Sequence, residues 1–382
     1  MLSSLSVSQC LCDYEIFLLT MKYLDEYQNP DIARKIVEKI CDLSGKISGE
    51  IRLMEVCGTH TMAIGKTGVR KLIPEKIDLL SGPGCPVCVT PNSYLCKAFH
   101  YSKMKDVIIT TFGDMIKVPV SGNSLEREKS NGGNITIVYS AVDSLKIAEE
   151  NPQKKVVFLA VGFETTAPTV AATIKIARER KIKNFYILTG HKLIPPALRG
   201  LVNDPELRVH GFICPGHVST IIGKEPYEFI ACDYKLPCVI AGFETLDVIQ
   251  AVFMLLLQLV EKREKVEIQY RRAVRAEGNK KALKLMSEVF ETCESEWRGL
   301  GKIPESGLKV SGEFSSFDAE RQFPVEIGDV QEDAGCICGE VLRGIKKPSD
   351  CPLFKTRCTP ENPVGACMVS SEGTCSAYFK YE

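Results

Sequence analysis

Residues 155–168 read KVVFLAVGFETTAP: six apolar residues behind a lysine, then a glycine, then a short polar loop closed by a proline. A run of that length and composition, bounded by turn residues, reads as a strand buried on both faces, the mark of a parallel sheet covered by helices. The pattern recurs in both directions. Upstream, EIRLMEV (50–56) leads into Cys57-Gly-Thr-His60, KIDLLS (76–81) into Gly82-Pro-Gly-Cys85-Pro-Val-Cys88, and DVIITTF (106–112) into Gly113-Asp114, while NITIVYS (134–140) precedes the helical VDSLKIAEE. Downstream, NFYILT (184–189) enters Gly190-His191-Lys192, VHGFIC (209–214) enters Pro215-Gly-His217, and PCVIA (237–241) enters Gly242-Phe-Glu244-Thr245. Strand, loop and helix in alternation predict an α/β fold, built twice over.

Asn151-Pro152 marks the expected seam. The reading assigns 45–150 to a first α/β domain and 151–250 to a second. An N-terminal helical segment (1–44) precedes them, and 251–382 is expected to be helical and cysteine-rich. In the first segment, PDIARKIVEKI puts Ile32, Ile36, Val37 and Ile40 on one helix face behind Pro30. VIQAVFMLLLQLV (248–260) is too short to span a bilayer and reads as a buried helix. Residues 261–300 read as charged and helical, and 299–316 as a Gly/Pro/Ser-rich link to the tail.

Composition bounds the function. Of 382 residues, 45% are hydrophobic and 25% charged, and 48 basic residues balance 48 acidic ones. That is ordinary globular composition, with no bias toward nucleic acid or an acidic membrane. The opening MLSSLSVSQCLCDYEIFLLT lacks a basic n-region and a cleavage site, so a cytoplasmic protein is expected. There, 17 cysteines mean reduced thiols, some under functional control.

In open α/β sheets, ligands bind beyond the carboxyl ends of the strands. His60, His191 and His217, three of the five histidines, fall on such loops. So do Cys57, Cys85, Cys88, Asp114, Glu164 and Glu244. Cys57 and His60 could be a nucleophile with its base, two ligands for one soft metal, or a structural cysteine beside a histidine. Cys85-Pro-Val-Cys88 has the spacing of a redox dithiol on an exposed Gly-Pro-Gly loop, or of half a zinc site. The stretch His60 to Thr67 nearly matches a phosphate-binding loop, but His60 replaces the first glycine, so nucleotide binding there is not expected. Gly-Phe-Glu-Thr occurs at 162–165 and again at 242–245, a repeat of packing geometry or of role.

The tail carries Cys336, Cys338, Cys351, Cys358, Cys367 and Cys375. Four thiolates suit tetrahedral zinc or an iron–sulfur cluster equally, and structural disulfides are a third possibility. A zinc site would leave two thiols idle, whereas a cluster beside a redox pair uses all six.

Together CGTH, GPGCPVC, TFGD, GFETTAPT, GHKLIPPA, CPGHVS, GFE and CPLFxxxCTPxxPxGACMVSSEGTC resemble the NiFe-hydrogenase maturation family HypD from about residue 30 to the end. The resemblance implies two similar parallel-sheet α/β domains flanking a cleft, plus a mainly helical cysteine-rich iron–sulfur domain. It implies a metallocentre-assembly scaffold with redox activity rather than a turnover enzyme. The Fe(CN)2CO unit of the hydrogenase would be built on it with the small chaperone HypC, and cyanide would come from HypE, with HypF upstream. By motif, Cys57 would hold the nascent iron with His60 beside it, and Cys85 and Cys88 would be a nearby dithiol. Asp114, Glu164, His191 and His217 would belong to the same site. Cys336, Cys351, Cys358 and Cys375 match the ligands of a 4Fe–4S cluster, and Cys338 and Cys367 a redox pair of some members. Residues 1–20, with Cys10 and Cys12, match nothing before a plausible start at Met21 and read as a dispensable extension. The rival reading is a cluster-dependent thiol–disulfide oxidoreductase, which would need only Cys85 and Cys88.

Overall fold

The computed structural model describes residues 29–328, 330, 332 and 334–382. The expected extension at 1–20 lies outside the described residues. Every run read above as a strand forms one: β1 Ile51–Glu55, β2 Ile77–Ser81, β3 Val107–Thr111, β4 Ile135–Ile137, β5 Lys155–Gly162, β6 Phe185–His191, β7 Gly211–Pro215 and β8 Cys238–Ala241. A short β9, Val266–Ile268, follows. They build two parallel sheets, one ordered β2-β1-β7-β8-β9 and the other β4-β3-β5-β6.

That order corrects the expected division at 150/151. β3 and β4 do not sheet with β1 and β2 but pair with β5 and β6 across the supposed seam. β1 instead hydrogen-bonds β7, with Leu53 opposite Gly211 and Glu55 opposite Ile213. The first sheet is thus closed by both halves of the chain, with the second inserted between. Buried strands of Val, Ile and Leu carry no label of their neighbour, so a sequential split was the simplest reading and the wrong one.

Helices cover both sheets. α1, Pro30–Gly45, is capped by the Asn29 side chain, which accepts from the amides of Asp31 (2.9 Å) and Ile32 (3.3 Å). Its Ile40 and Leu43 are buried where it packs on the helix of the long apolar run, Thr245–Glu261. Among the described residues no helix is long and apolar enough to cross a membrane.

Residues 251–382 are not one helical unit. The region expected to be helical and then a linker contains a helix at Lys280–Val289 and an antiparallel hairpin, β10 Phe290–Trp297 and β11 Gly301–Val310. Its Trp297 is buried, donates to Ser306 Oγ (2.8 Å) and stacks on Phe163. The cysteine-rich tail carries only short helices, the last being Thr374–Tyr381.

Candidate functional site

In each parallel sheet the strand order turns outward in both directions from one pair, β1/β7 in the first and β3/β5 in the second. The loops leaving such a pair diverge and open a crevice. Here the two crevices share one cleft of about 450 Å³. Val56, Cys57 and Thr59 (after β1) and Pro215, His217 and Val218 (after β7) form one side. Phe112 and Met115 (after β3) and Gly162, Phe163, Thr165 and Thr166 (after β5) form the other. Glu372, from the far end of the chain, completes it.

Cys57 is the N-cap of the helix Gly58–Thr67, which includes the near-match to a phosphate loop. Gly65, Lys66 and Thr67 end that helix and cannot cradle phosphate. The Cys57 amide donates to buried Glu55 (2.9 Å), which also accepts from the Thr61 hydroxyl. The Gly58 amide donates to Gly84 O (2.9 Å). A Cβ on Gly84 would lie 2.2 Å from the Cys57 nitrogen, so only glycine lets the GPGC loop press against this backbone. On the other flank a Cβ on Gly58 would meet Glu372 at 2.7 Å, and Thr59 donates to the Glu372 carboxylate (2.6 Å).

Burial pushes the Cys57 thiol up to about 12. Burial also lowers His60 to about 4. His60 Nε2 lies 2.8 Å from the Gly242 carbonyl, which can only accept, so Nε2 carries the proton. A neutral thiol beside a neutral imidazole is the opposite of an activated nucleophile with its base. A soft metal that displaces the thiol proton is the better chemical match.

The other expected residues separate. His217 lines the cleft, its ring stacked on Phe243 with centroids 3.9 Å apart. His191, expected in the site, is buried against Phe290 and does not line the cleft; neither ring nitrogen finds a partner among the described residues. Asp114 is exposed on the turn Gly113–Lys117, whose Met115 enters the cleft instead. The two Gly-Phe-Glu loops diverge. Glu244 is exposed and caps the helix Thr245–Glu261, while Glu164 is buried and accepts from the Ile194 amide (2.9 Å).

Burial raises the Glu164 carboxyl from 4.5 to about 8, so folding favours its neutral form. The sign follows: that stabilisation is complete below pH 4.5 and is lost as pH rises to about 8. Glu164→Gln stays neutral throughout. Its melting temperature should therefore gain several degrees on the wild type across that window, and a pH-independent offset would refute the assignment.

Cys85 and Cys88 sit on a loop expected to be exposed, yet both are buried, because Gly82 and Gly84 pack against Met54, Val56 and Cys57. Cys85 caps the four-residue helix Pro86–Val89, and the Cys88 amide lies 3.3 Å from its sulfur. Burial pushes the Cys88 thiol well above its ordinary value. Cys88 faces the tail, within hydrogen-bond reach of Cys367, and Cys367 Sγ is 2.7 Å from Cys338 Sγ. Cys375 and Cys336 flank that pair in turn. A line of sulfurs thus runs from the cleft loop into the tail.

All six tail cysteines line one small cavity with Ile337, Val341, Leu353, Phe354, Gly365 and Met368, and among the described residues no charged side chain lines it. A Cβ on Gly365 would lie 2.7 Å from Cys336 Sγ. This is a donor set of soft thiols in an apolar shell, which fits a four-thiolate metal group. Among the described residues no three potential ligands are already gathered as a metal site. Sequence reasoning missed Glu55, which holds the Cys57 amide from behind, and Glu372, which lines the cleft. Both stood inside quoted motif neighbourhoods, next to CGTH and within SSEGTC, where the cysteines drew the attention.

The HypD family model, described as "Hydrogenase formation hypA family", matches residues 31–382. The chain is similar to the hydrogenase maturation factor HypD of Cupriavidus necator, 46% identical over 369 residues, covering 94% of this chain and 97% of that one. The hydrogenase maturation factor HypD of Escherichia coli K12 is 43% identical over 366 residues, covering 94% and 98%. The hydrogenase expression/formation protein HupD of Azotobacter chroococcum is 46% identical over 368 residues, covering 94% and 97%.

Proposed function

The chain belongs to the HypD family of hydrogenase maturation factors, and we propose that it is the scaffold on which the Fe(CN)2CO unit of a NiFe hydrogenase is assembled. One observation carries this reading. The switch points of two parallel sheets open into one cleft beside Cys57, and a line of thiols connects the loop bordering that cleft to the tail cavity. Iron is the cargo. Cyanide and carbon monoxide favour low-spin, electron-rich iron, for which a thiolate at Cys57 is a suitable ligand. A HypC-type chaperone would share the iron, and a HypE-type protein supplied through HypF would deliver cyanide.

Cys336, Cys351, Cys358 and Cys375 would hold a 4Fe–4S cluster, which when bound supplies single electrons. Cys338 and Cys367 lie between that cavity and Cys88, where two electrons and two protons would convert one disulfide to two thiols. Exchange with Cys85 and Cys88 would carry the reducing equivalents to the cleft. The rival oxidoreductase reading meets a physical objection: Cys85 and Cys88 are 3% and 0% exposed, so a protein disulfide cannot reach them directly.

Infrared spectroscopy of the protein copurified with its chaperone tests the proposal. Metal-bound cyanide and carbonyl stretches are expected in a window otherwise empty for proteins, and their absence overturns it. In the tail, replacing any of Cys336, Cys351, Cys358 or Cys375 with Ala should abolish the brown cluster absorbance and lower the stability of that region. Anaerobic protein with stoichiometric zinc and neither iron nor sulfide would contradict the cluster assignment.

A further inference from the structure

The cleft beside Cys57 has more polar side chains than hydrogen-bond donors to spare. Of its threonines, Thr59 donates to Glu372 (2.6 Å), Thr166 to Phe163 O (3.1 Å) and Thr220 to His217 O (2.6 Å). Glu372 itself offers only acceptors when ionised. Among the described side chains of the cleft, Cys57 aside, two donors are left. The Thr165 hydroxyl, half-buried at the mouth of β5, has no protein partner among the described residues. The His217 ring, exposed at the cleft edge, likewise has no protein hydrogen-bond partner among the described residues. Its plane is set by the stack on Phe243 (3.9 Å). These donors stand on opposite sheets. Between them the wall is apolar: Phe112, Met115, Val161, Phe163, Val218 and Ile221.

We propose that Thr165 and His217 are the specificity residues that receive the two cyanide ligands of the cargo iron, with the carbonyl ligand directed at the apolar wall. The inference rests on the assembly reading above and assigns it a recognition chemistry. A metal-bound cyanide keeps a lone pair on nitrogen and accepts hydrogen bonds well. A metal carbonyl oxygen is a poor acceptor and loses little against hydrocarbon. Two unspent donors and one apolar surface therefore match two cyanides and one carbonyl. A third cyanide would face the apolar wall, where its nitrogen finds no side-chain donor. Burial holds His217 below its ordinary value, so its ring donates from one nitrogen without carrying charge. A cleft of about 450 Å³ is at the small end for ligand sites and suits a compact metal complex.

The test is infrared spectroscopy of the full chain copurified with its maturation partners, alongside iron analysis. T165V and H217F should each keep the cleft iron and the tail cluster at wild-type stoichiometry. In each, the cyanide stretches should move to lower wavenumber, because a donor at nitrogen raises that frequency. The carbonyl stretch should move less, and T165S should restore the wild-type spectrum. Cyanide bands unmoved in both T165V and H217F overturn the proposal. So does loss of the iron from T165V with the cluster retained, since that would make Thr165 an anchor for the iron. A wild-type complex with iron but no cyanide bands overturns the assembly reading, and this inference with it.

Discussion

Cys57→Ala protein, isolated anaerobically with its chaperone, should carry the tail cluster at wild-type stoichiometry and none of the additional iron, and hydrogenase maturation should fall to background. The separation of the two metals is the point. Cys57 is the one thiol that caps a helix at the β1/β7 crevice and also lines the cleft. Its amide, not its sulfur, is what Glu55 holds, so removing the sulfur leaves that hydrogen bond and the Gly84 contact in place. The loss of one small buried sulfur costs about 1–2 kcal/mol, within what a folded protein of this size tolerates. The iron, in contrast, loses a bond. A thiol held near 12 is protonated when free, so cargo binding must release a proton at this sulfur. Loading of wild-type protein should therefore become more favourable as pH rises. Iron retained in Cys57→Ala at wild-type stoichiometry would move the site elsewhere in the cleft.

Cys88→Ser should be nearly as severe for maturation while leaving the cluster spectrum unchanged. Cys88 is buried, bonded through its amide to Cys85 and through its sulfur toward Cys367 and Ala366 O (3.9 Å). Serine preserves volume and hydrogen bonding but cannot form a disulfide, so the effect isolates redox chemistry from packing. Cys85→Ser should match it. Cys338→Ser and Cys367→Ser should be milder if a second reductant reaches the cleft dithiol. The measurement is thiol labelling after stepwise reduction, read by mass spectrometry. For a two-electron couple about 30 mV separates a tenfold change in oxidised fraction, so a modest set of redox buffers resolves the order. A Cys85–Cys88 pair that never oxidises at any accessible potential would reduce these thiols to ligands or structural residues.

Much of this architecture was legible in the chain. Buried strands announce themselves as runs rich in apolar residues, and β1 to β8 all fall within the runs quoted, although β1, β2 and β4 carry polar residues among them. Pairing was not legible, because nothing in IRLME specifies GFICP as its neighbour. The hairpin was missed for a related reason. FETCESEW exposes most of one strand, so its charges read as a helix surface, and GKIPESGLKV carries the glycine and proline of a linker. Among site residues, the cysteines were found because their type is rare. Thr165 and Glu372 are of common types, and only the fold gives them a place. The supposed exposed dithiol failed because Gly-Pro-Gly permits close packing as readily as it permits a free loop.

The interleaved first sheet also dictates when the protein can become competent. The Arg52 amide donates to the His210 ring 158 residues downstream, its guanidinium reaches a carbonyl 292 residues away, and Thr59 meets Glu372 across 313. Contacts this distant in sequence form late and slowly. A nascent chain that has not reached β7 therefore presents Cys57, Cys85 and Cys88 on an unfinished sheet, and the cleft lacks one side until Glu372 has been made. A chain that ends before residue 372 lacks both Cys375 and the Glu372 side of the cleft, so the tail cavity and the cleft are completed together.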